Sequence, residues 1–206
     1  MPKAWIRERK NEFYYKKAKA ENYRSRSTYK IVQVNNKYGF INLHDVVVDL
    51  GAAPGGWIQA TRKIVGRRGF VLGVDLKPIE PFPQEYVRTI LGDLTDPTIA
   101  EQILSFLPRK PDAVVSDAAP NVTGVWEVDH AIQIDLASKS LDVALQILRS
   151  GGNFFVKLFQ GDLMEEFVQT VKGHFDEVKI VKPDASRAKS SEMYLLALGL
   201  KTNFND

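Results

Sequence analysis

A lysine interrupts an otherwise apolar run, Phe154-Phe155-Val156-Lys157-Leu158-Phe159. Such a side chain either snorkels out to water or, when enclosed, loses part of its affinity for a proton. Three more ionisable residues stand where they could meet it. Asp117 closes the run Ala113-Val114-Val115-Ser116, Glu192 opens the run Met193 to Leu198, and Lys30 lies in a basic N-terminal segment. Two carboxylates would hold two amines in place. Lys30 beside Lys157 would help keep the latter's pKa low enough to accept, or to orient, the proton of a weak acid such as a hydroxyl.

The elements around that group point to a second reactant. Asp45 to Leu50 is a β-branched apolar run that reads as a buried strand. It stops in Gly51-Ala52-Ala53-Pro54-Gly55-Gly56, and Trp57 to Val65 then has helical spacing, with Ile58, Thr61 and Val65 on one side. Strand, glycine turn and helix open a nucleotide-cofactor α/β fold, in which Gly51, Gly55 and Gly56 are expected to let backbone lie against a ligand that a Cβ would push away. A dinucleotide fingerprint wants glycines at 51, 53 and 56, but 53 is Ala. A P-loop wants Gly-Lys-Ser/Thr where Trp57 stands. No basic residue enters the turn to meet a pyrophosphate, and Asp49 ends the strand instead. That suits a cationic or zwitterionic ligand such as S-adenosylmethionine; a tight turn without a ligand is the alternative. The next strand, Gly69 to Asp75, ends in an acid about 20 residues beyond the turn, where such folds hold a ribose diol. A third, Val87 to Leu91, runs into Gly92-Asp93, placed to receive an adenine amino group. Each acid alone reads equally as a cap or a solvated turn. Together they describe an adenosine site at the carboxyl edge of a sheet.

Composition narrows the partners. The net charge of +3 hides an asymmetry: residues 1–40 hold 11 Lys/Arg against three Asp/Glu, a net of +8, and the rest is −5. The same segment carries Trp5, Phe13, Tyr14, Tyr15, Tyr23, Tyr29, Tyr38 and Phe40. Cations for phosphates with rings for bases predict an RNA partner, although some of these rings must dock on the core. The absence of cysteine removes disulfides, thiolate metal sites and Cys nucleophiles. His44, His130 and His174 are far apart in sequence, so no metal site is expected. No signal-peptide pattern or membrane-length apolar run occurs, and a cytoplasmic protein is expected.

Periodicity places the remaining elements. Helices are predicted from Ile6 to Ala20, from a Ser25 or Ser27 cap to Asn35-Asn36, after Pro97 to Leu107, from Asp129 to Arg149, and from Leu163 to Val171. Strands are predicted at 113–116, 153–158, 177–181 and 193–198. The alternation implies one α/β domain over 1–206, with a seven-stranded, mostly parallel sheet, helices on both faces, and 1–40 as an RNA-contacting extension. The last two strands are joined without a helical pattern, so the final one is expected to run antiparallel.

The methyl acceptor follows in part by elimination. Cytosine C5 calls for a Cys nucleophile, and there is none. An exocyclic base nitrogen usually calls for an Asn/Asp-Pro-Pro-aromatic clamp, whereas residues 117–121 are Asp-Ala-Ala-Pro-Asn. A ribose 2′-hydroxyl needs only an amine nearby.

The string Asp49-Leu50-Gly51-Ala52-Ala53-Pro54-Gly55-Gly56-Trp57 resembles that of the FtsJ/RrmJ-type ribose 2′-O-methyltransferases. So do Arg24-Ser25-Arg26-Ser27 with Lys30, Ser116 to Asn121, Val156 to Gly161, and Ser190 to Tyr194, in family order from residue 24 to about 200. The resemblance implies a Rossmann-like class I methyltransferase fold and a Lys-Asp-Lys-Glu tetrad at Lys30, Asp117, Lys157 and Glu192, with Lys157 the base or orienting amine. It implies S-adenosylmethionine contacts at Gly55, Trp57, Asp75, Asp93 and Asp117. Size and motif favour the branch that modifies a uridine of large-subunit ribosomal RNA. A tRNA anticodon-loop enzyme and a non-catalytic RNA-binding assembly factor are the alternatives. Ala118 replaces the Met of some relatives, and the loop from Asn121 to Val128, with Trp126, has no match among these motifs.

Overall fold

The computed structural model describes residues 13–187 and 190–202. The part of the first predicted helix before residue 13, and Trp5, lie outside them; residues 13–20 are helical (α1). Then follow α2 (Thr28–Tyr38), β1 (Val46–Leu50), α3 (Gly56–Val65), β2 (Phe70–Asp75), β3 (Val87–Leu91), α4 (Ile99–Phe106), β4 (Ala113–Ser116), α5 (Trp126–Ile147), β5 (Asn153–Phe159), α6 (Met164–His174), β6 (Phe175–Val181) and β7 (Glu192–Leu200).

The strands form one sheet in the order β3-β2-β1-β4-β5-β7-β6. β1 to β5 pair in parallel, and β7 runs antiparallel to both β5 and β6, as the missing crossover helix requires. Both faces are covered, so the central strands are apolar on both sides. Val48, Leu72, Phe154 and Leu158 pack with Ile103, Ala144 and Phe167 of α4, α5 and α6. Val47, Val71, Val115 and Phe155 pack with Ile31, Val34, Trp57 and Ile58 of α2 and α3. No helix among the described residues is long and apolar enough to cross a membrane.

Two helix boundaries differ from the periodicity for local reasons. α2 continues past Asn35-Asn36 to Tyr38 because Gly39, at φ 62°, ends it by donating its N–H to the Asn35 carbonyl. The Asn35 side chain is spent on both backbone groups of Ile41. Neither Ser25 nor Ser27 caps the helix by its side chain; the Ser25 hydroxyl accepts the Ser27 N–H. α5 starts at Trp126 because the buried Asp129 reaches back to the N–H groups of Thr123 and Gly124. Those hydrogen bonds, the Thr123 one foremost, hold its carboxyl below the usual range.

At the opposite edge of the sheet, Asp112 accepts the Val46 N–H at 2.7 Å and pairs with Arg109 and Arg149, both at 2.6 Å. Asp112→Ala leaves a buried strand N–H without a partner. A loss of about 1–3 kcal/mol in urea unfolding is expected, with cofactor affinity unchanged because the cleft lies at the other edge.

Candidate active site

Register assembles the reactive groups. Leu50 aligns with Ser116, and Ser116 with Val156. The next residue on each strand is therefore Gly51, Asp117 and Lys157, and Tyr194 of β7 stands directly opposite Lys157. Gly51 has φ 72°, and a Cβ there would lie 2.7 Å from that of Ala118, so only glycine lets the turns after β1 and β4 close together.

Lys157 and Lys30 are 6% and 5% exposed, so each needs a carboxylate. The Lys157 Nζ donates to the Asp117 carbonyl at 2.6 Å and lies 3.2 Å from Oδ1 of the same residue. The Lys30 Nζ donates to Glu192 Oε2 at 2.7 Å. The two pairs are joined by Tyr194, whose hydroxyl accepts from Lys30 at 2.9 Å and donates to Asp117 Oδ1 at 2.8 Å. Burial would raise the Asp117 pKa, but Lys157, Lys30 and the Tyr194 hydrogen bond together hold it below the usual carboxylate range. Burial, followed by the charges of Asp117 and Glu192, pushes the Tyr194 phenol well up, so it stays a donor. Ser186 donates to the other Glu192 oxygen at 2.8 Å.

Tyr194 and Gln133 are the residues that sequence reasoning missed. Tyr194 ends the Ser190 to Tyr194 block, where it is assigned no role. Gln133 is buried on α5, and its Nε2 donates to the carbonyls of Ala118 and Lys157, both at 3.1 Å, tying the β4 turn to the reactive strand. A glutamine in an amphipathic helix carries no signal of that kind.

A cleft of about 340 Å³ opens beside this group at the ends of β1 to β4. Its walls include Gly51, Val74, Asp75, Asp93, Leu94, Asp117, Ala118 and Leu136. Asp75 accepts the N–H groups of Ala53 and Lys77, which fixes its carboxylate while leaving lone pairs for a diol. One oxygen of Asp93 accepts both the N–H and the hydroxyl of Thr95. Those bonds, the backbone one foremost, lower its pKa.

Asp49 is within β1 rather than at its tip, and is 1% exposed. Neither of its oxygens has a hydrogen-bond partner among the described residues. Burial first, then the charges of Asp117 and Asp75, pushes its carboxyl well above the usual range. An orphaned buried acid beneath a cleft lined by carboxylates and apolar walls fits a cationic adenosyl cofactor.

Two other expectations need correction. Gly55 and Gly56 do not clear space for a ligand: a Cβ at 55 would meet Arg24 and Phe82, and one at 56 would meet Thr28 and Ser25. These glycines admit the N-terminal segment. The Trp57 indole is buried and donates to the Ser27 carbonyl, stacked on Phe155, so only its backbone at the helix start could face a cofactor. Part of the basic, aromatic segment is docked, as expected of some of its rings. Arg24 donates to the carbonyls of Pro54 and Glu80 and lies 4.0 Å over the Phe82 ring. Tyr14, Tyr23 and Tyr29 pack with Ala18 and Ala185, while Phe13 and Tyr15 remain exposed.

Comparison with known proteins agrees with this geometry. The model of the FtsJ-like methyltransferase family matches residues 23–200. A ribosomal RNA large subunit methyltransferase E of Methanococcus maripaludis is 50% identical over 194 residues, covering 94% of this chain and 75% of that protein. Its namesake in Methanothermobacter thermautotrophicus is 44% identical over 98% of this chain and 95% of its own. A ribosomal RNA methyltransferase structure from Plasmodium falciparum superposes with a TM-score of 0.78 at 27% identity, over 88% of this chain and all of that one. Aeropyrum pernix fibrillarin, solved with S-adenosyl-L-methionine bound, shares the fold at a TM-score of 0.53 and 19% identity, over 77% of this chain and 68% of that one. The chain belongs to the FtsJ-like methyltransferase family, enzymes that use S-adenosylmethionine on this sheet.

Proposed function

We propose that the protein methylates the 2′-hydroxyl of a uridine ribose in large-subunit ribosomal RNA. The observation that carries this reading is the buried Lys157 amine, held by Asp117, which itself lines the cleft. The names of the archaeal relatives support the RNA class.

S-adenosylmethionine, when bound, supplies an electrophilic methyl group on a sulfonium. Asp75 would hold its ribose diol, Asp93 its adenine amino group, and Asp49 and Asp117 would balance its positive charge, with Gly51 lining its approach. The Lys157 nitrogen has three positions besides its own carbon. Asp117 takes two, through its carbonyl and Oδ1. The third would face the acceptor hydroxyl, where the amine would orient the oxygen's lone pair or, once neutral, accept its proton as the methyl group is transferred. Lys30 and Tyr194 help Lys157 keep Asp117 ionised, and Glu192 holds Lys30 in place. The basic segment over residues 1–40, with exposed Phe13 and Tyr15, contacts the RNA beyond the reacting nucleotide.

The test is incubation with labelled cofactor and separated tRNA and ribosomal subunits, followed by mapping of the label. A 2′-O-methyluridine in large-subunit RNA is expected. Label in tRNA alone, or on a base, overturns the assignment.

A further inference from the structure

Trp126, the first residue of α5, is 42% exposed. Its ring is nevertheless ordered by two neighbours: it stacks on His130 at 5.8 Å and 17°, and on Phe159 at 5.9 Å and 27°. Neither neighbour is incidental to the site. Phe159 is two residues beyond Lys157 on the same strand, so the pleat aims both toward one face, and its register partner across the sheet is Glu192. His130 is buried and accepts the Leu163 N–H. Gln133, three residues further along the same helix, donates to the Lys157 carbonyl. The loop that leads to Trp126 begins at the cleft, which Ala119 and Asn121 line. A half-exposed indole on a fixed stack thus stands where the loop from the cleft meets the strand that carries Lys157.

The surroundings say what it would hold. Residues 118–138 contain no Lys or Arg, so this stretch brings no cation of its own to a phosphate. Val122, Val125 and Val128 beside it are exposed and apolar. A flat π-surface in an apolar stretch takes the face of a base, and an RNA whose ribose reaches Lys157 would carry a neighbouring base along this edge. We propose that Trp126 is a stacking platform for a nucleobase next to the methylated nucleotide. The proposal rests on the ribose-methylation reading above. It makes Trp126 a substrate-binding residue that adds to affinity for RNA without touching the reacting atoms.

The test uses the full chain, labelled S-adenosylmethionine, and a ribosomal RNA fragment that the wild-type protein modifies. Copies of the fragment carry single abasic nucleotides on either side of the target. Stacking is worth about tenfold in binding per base, so Trp126→Ala should raise KM for the intact fragment about tenfold, with kcat little changed. Its melting temperature, its cofactor affinity and the salt dependence of RNA binding should match wild type. One abasic position should raise the wild-type KM by the same factor and leave the Ala variant unmoved. Trp126→Tyr should restore most of the loss and Trp126→Leu should not, a contrast that survives if the Ala variant folds poorly. An unchanged KM for the Ala variant on naked fragment overturns the platform. Impairment of that variant on assembled subunits alone overturns it too, and would give the face to a protein. If wild-type protein modifies no RNA fragment or subunit, the underlying reading fails, and the platform with it.

Discussion

Lys157→Ala abolishes methyl transfer, with an expected loss of about 10²–10⁴-fold in single-turnover rate, the usual worth of a positioned proton acceptor. Cofactor affinity should stay close to wild type, because the amine faces Asp117 rather than the walls around Asp75 and Asp93. Removing one partner of a buried pair also has a structural cost. Asp117 would keep the Tyr194 hydrogen bond and the more distant charge of Lys30, so its pKa should rise toward the ordinary carboxylate range. Thermal unfolding of the variant measures that cost separately. Lys157→Met, which fills the same space without a nitrogen, should be as inactive as the Ala variant and closer to wild type in melting temperature. Rapid transfer by either variant would remove the amine from the reaction.

What the sequence reveals about this site, and what it hides, follows from how each residue is recruited. The alternation of apolar strands and amphipathic helices is enough to predict the parallel sheet, because each element buries a face regardless of its neighbours. Asp75, Asp93 and Asp117 are legible as acids where strands end, and they do line one cleft. Lys157 is legible as a charge in an apolar run. Tyr194 is not, since its role depends on register between β5 and β7, and a register is invisible until the strand order is known. Gln133 is hidden for a similar reason: its bonds go to backbone carbonyls, which leave no mark on the side chains they belong to. Local spacing reads Gly55 and Gly56 as making room for a ligand. They make room for Arg24 and Thr28 instead, residues too distant in the chain for local spacing to express. Composition reads the aromatic segment as an RNA surface with some rings docked on the core, and three of its tyrosines do form a small core with Ala18 and Ala185.

Asp49 supplies the second large effect, and it is electrostatic. Its carboxyl is buried without a hydrogen-bond partner among the described residues, and its pKa is raised by desolvation and by Asp117 and Asp75. The sign of the stability effect follows from linkage. Below the unfolded carboxyl pKa the group is neutral in both states and costs nothing. As pH rises from there toward the folded pKa, the unfolded chain gives up its proton first, and the folded protein loses stability. A cation in the cleft reverses the preference by favouring the ionised form, so binding S-adenosylmethionine should release a proton. Calorimetry in buffers of different ionisation enthalpy would show this as a buffer-dependent heat. In Asp49→Asn the release should vanish, and affinity should fall about tenfold or more, since each pKa unit of coupling is worth about 1.4 kcal/mol. The cofactor-free variant should in turn hold its stability better between mildly acidic and neutral pH. Asp117, already held ionised by Lys157 and Lys30, cannot provide this proton. Equal affinity and equal proton release in wild type and variant would mean that the cofactor's charge is balanced elsewhere, and that Asp49 is only a strained strand residue beneath the glycine turn.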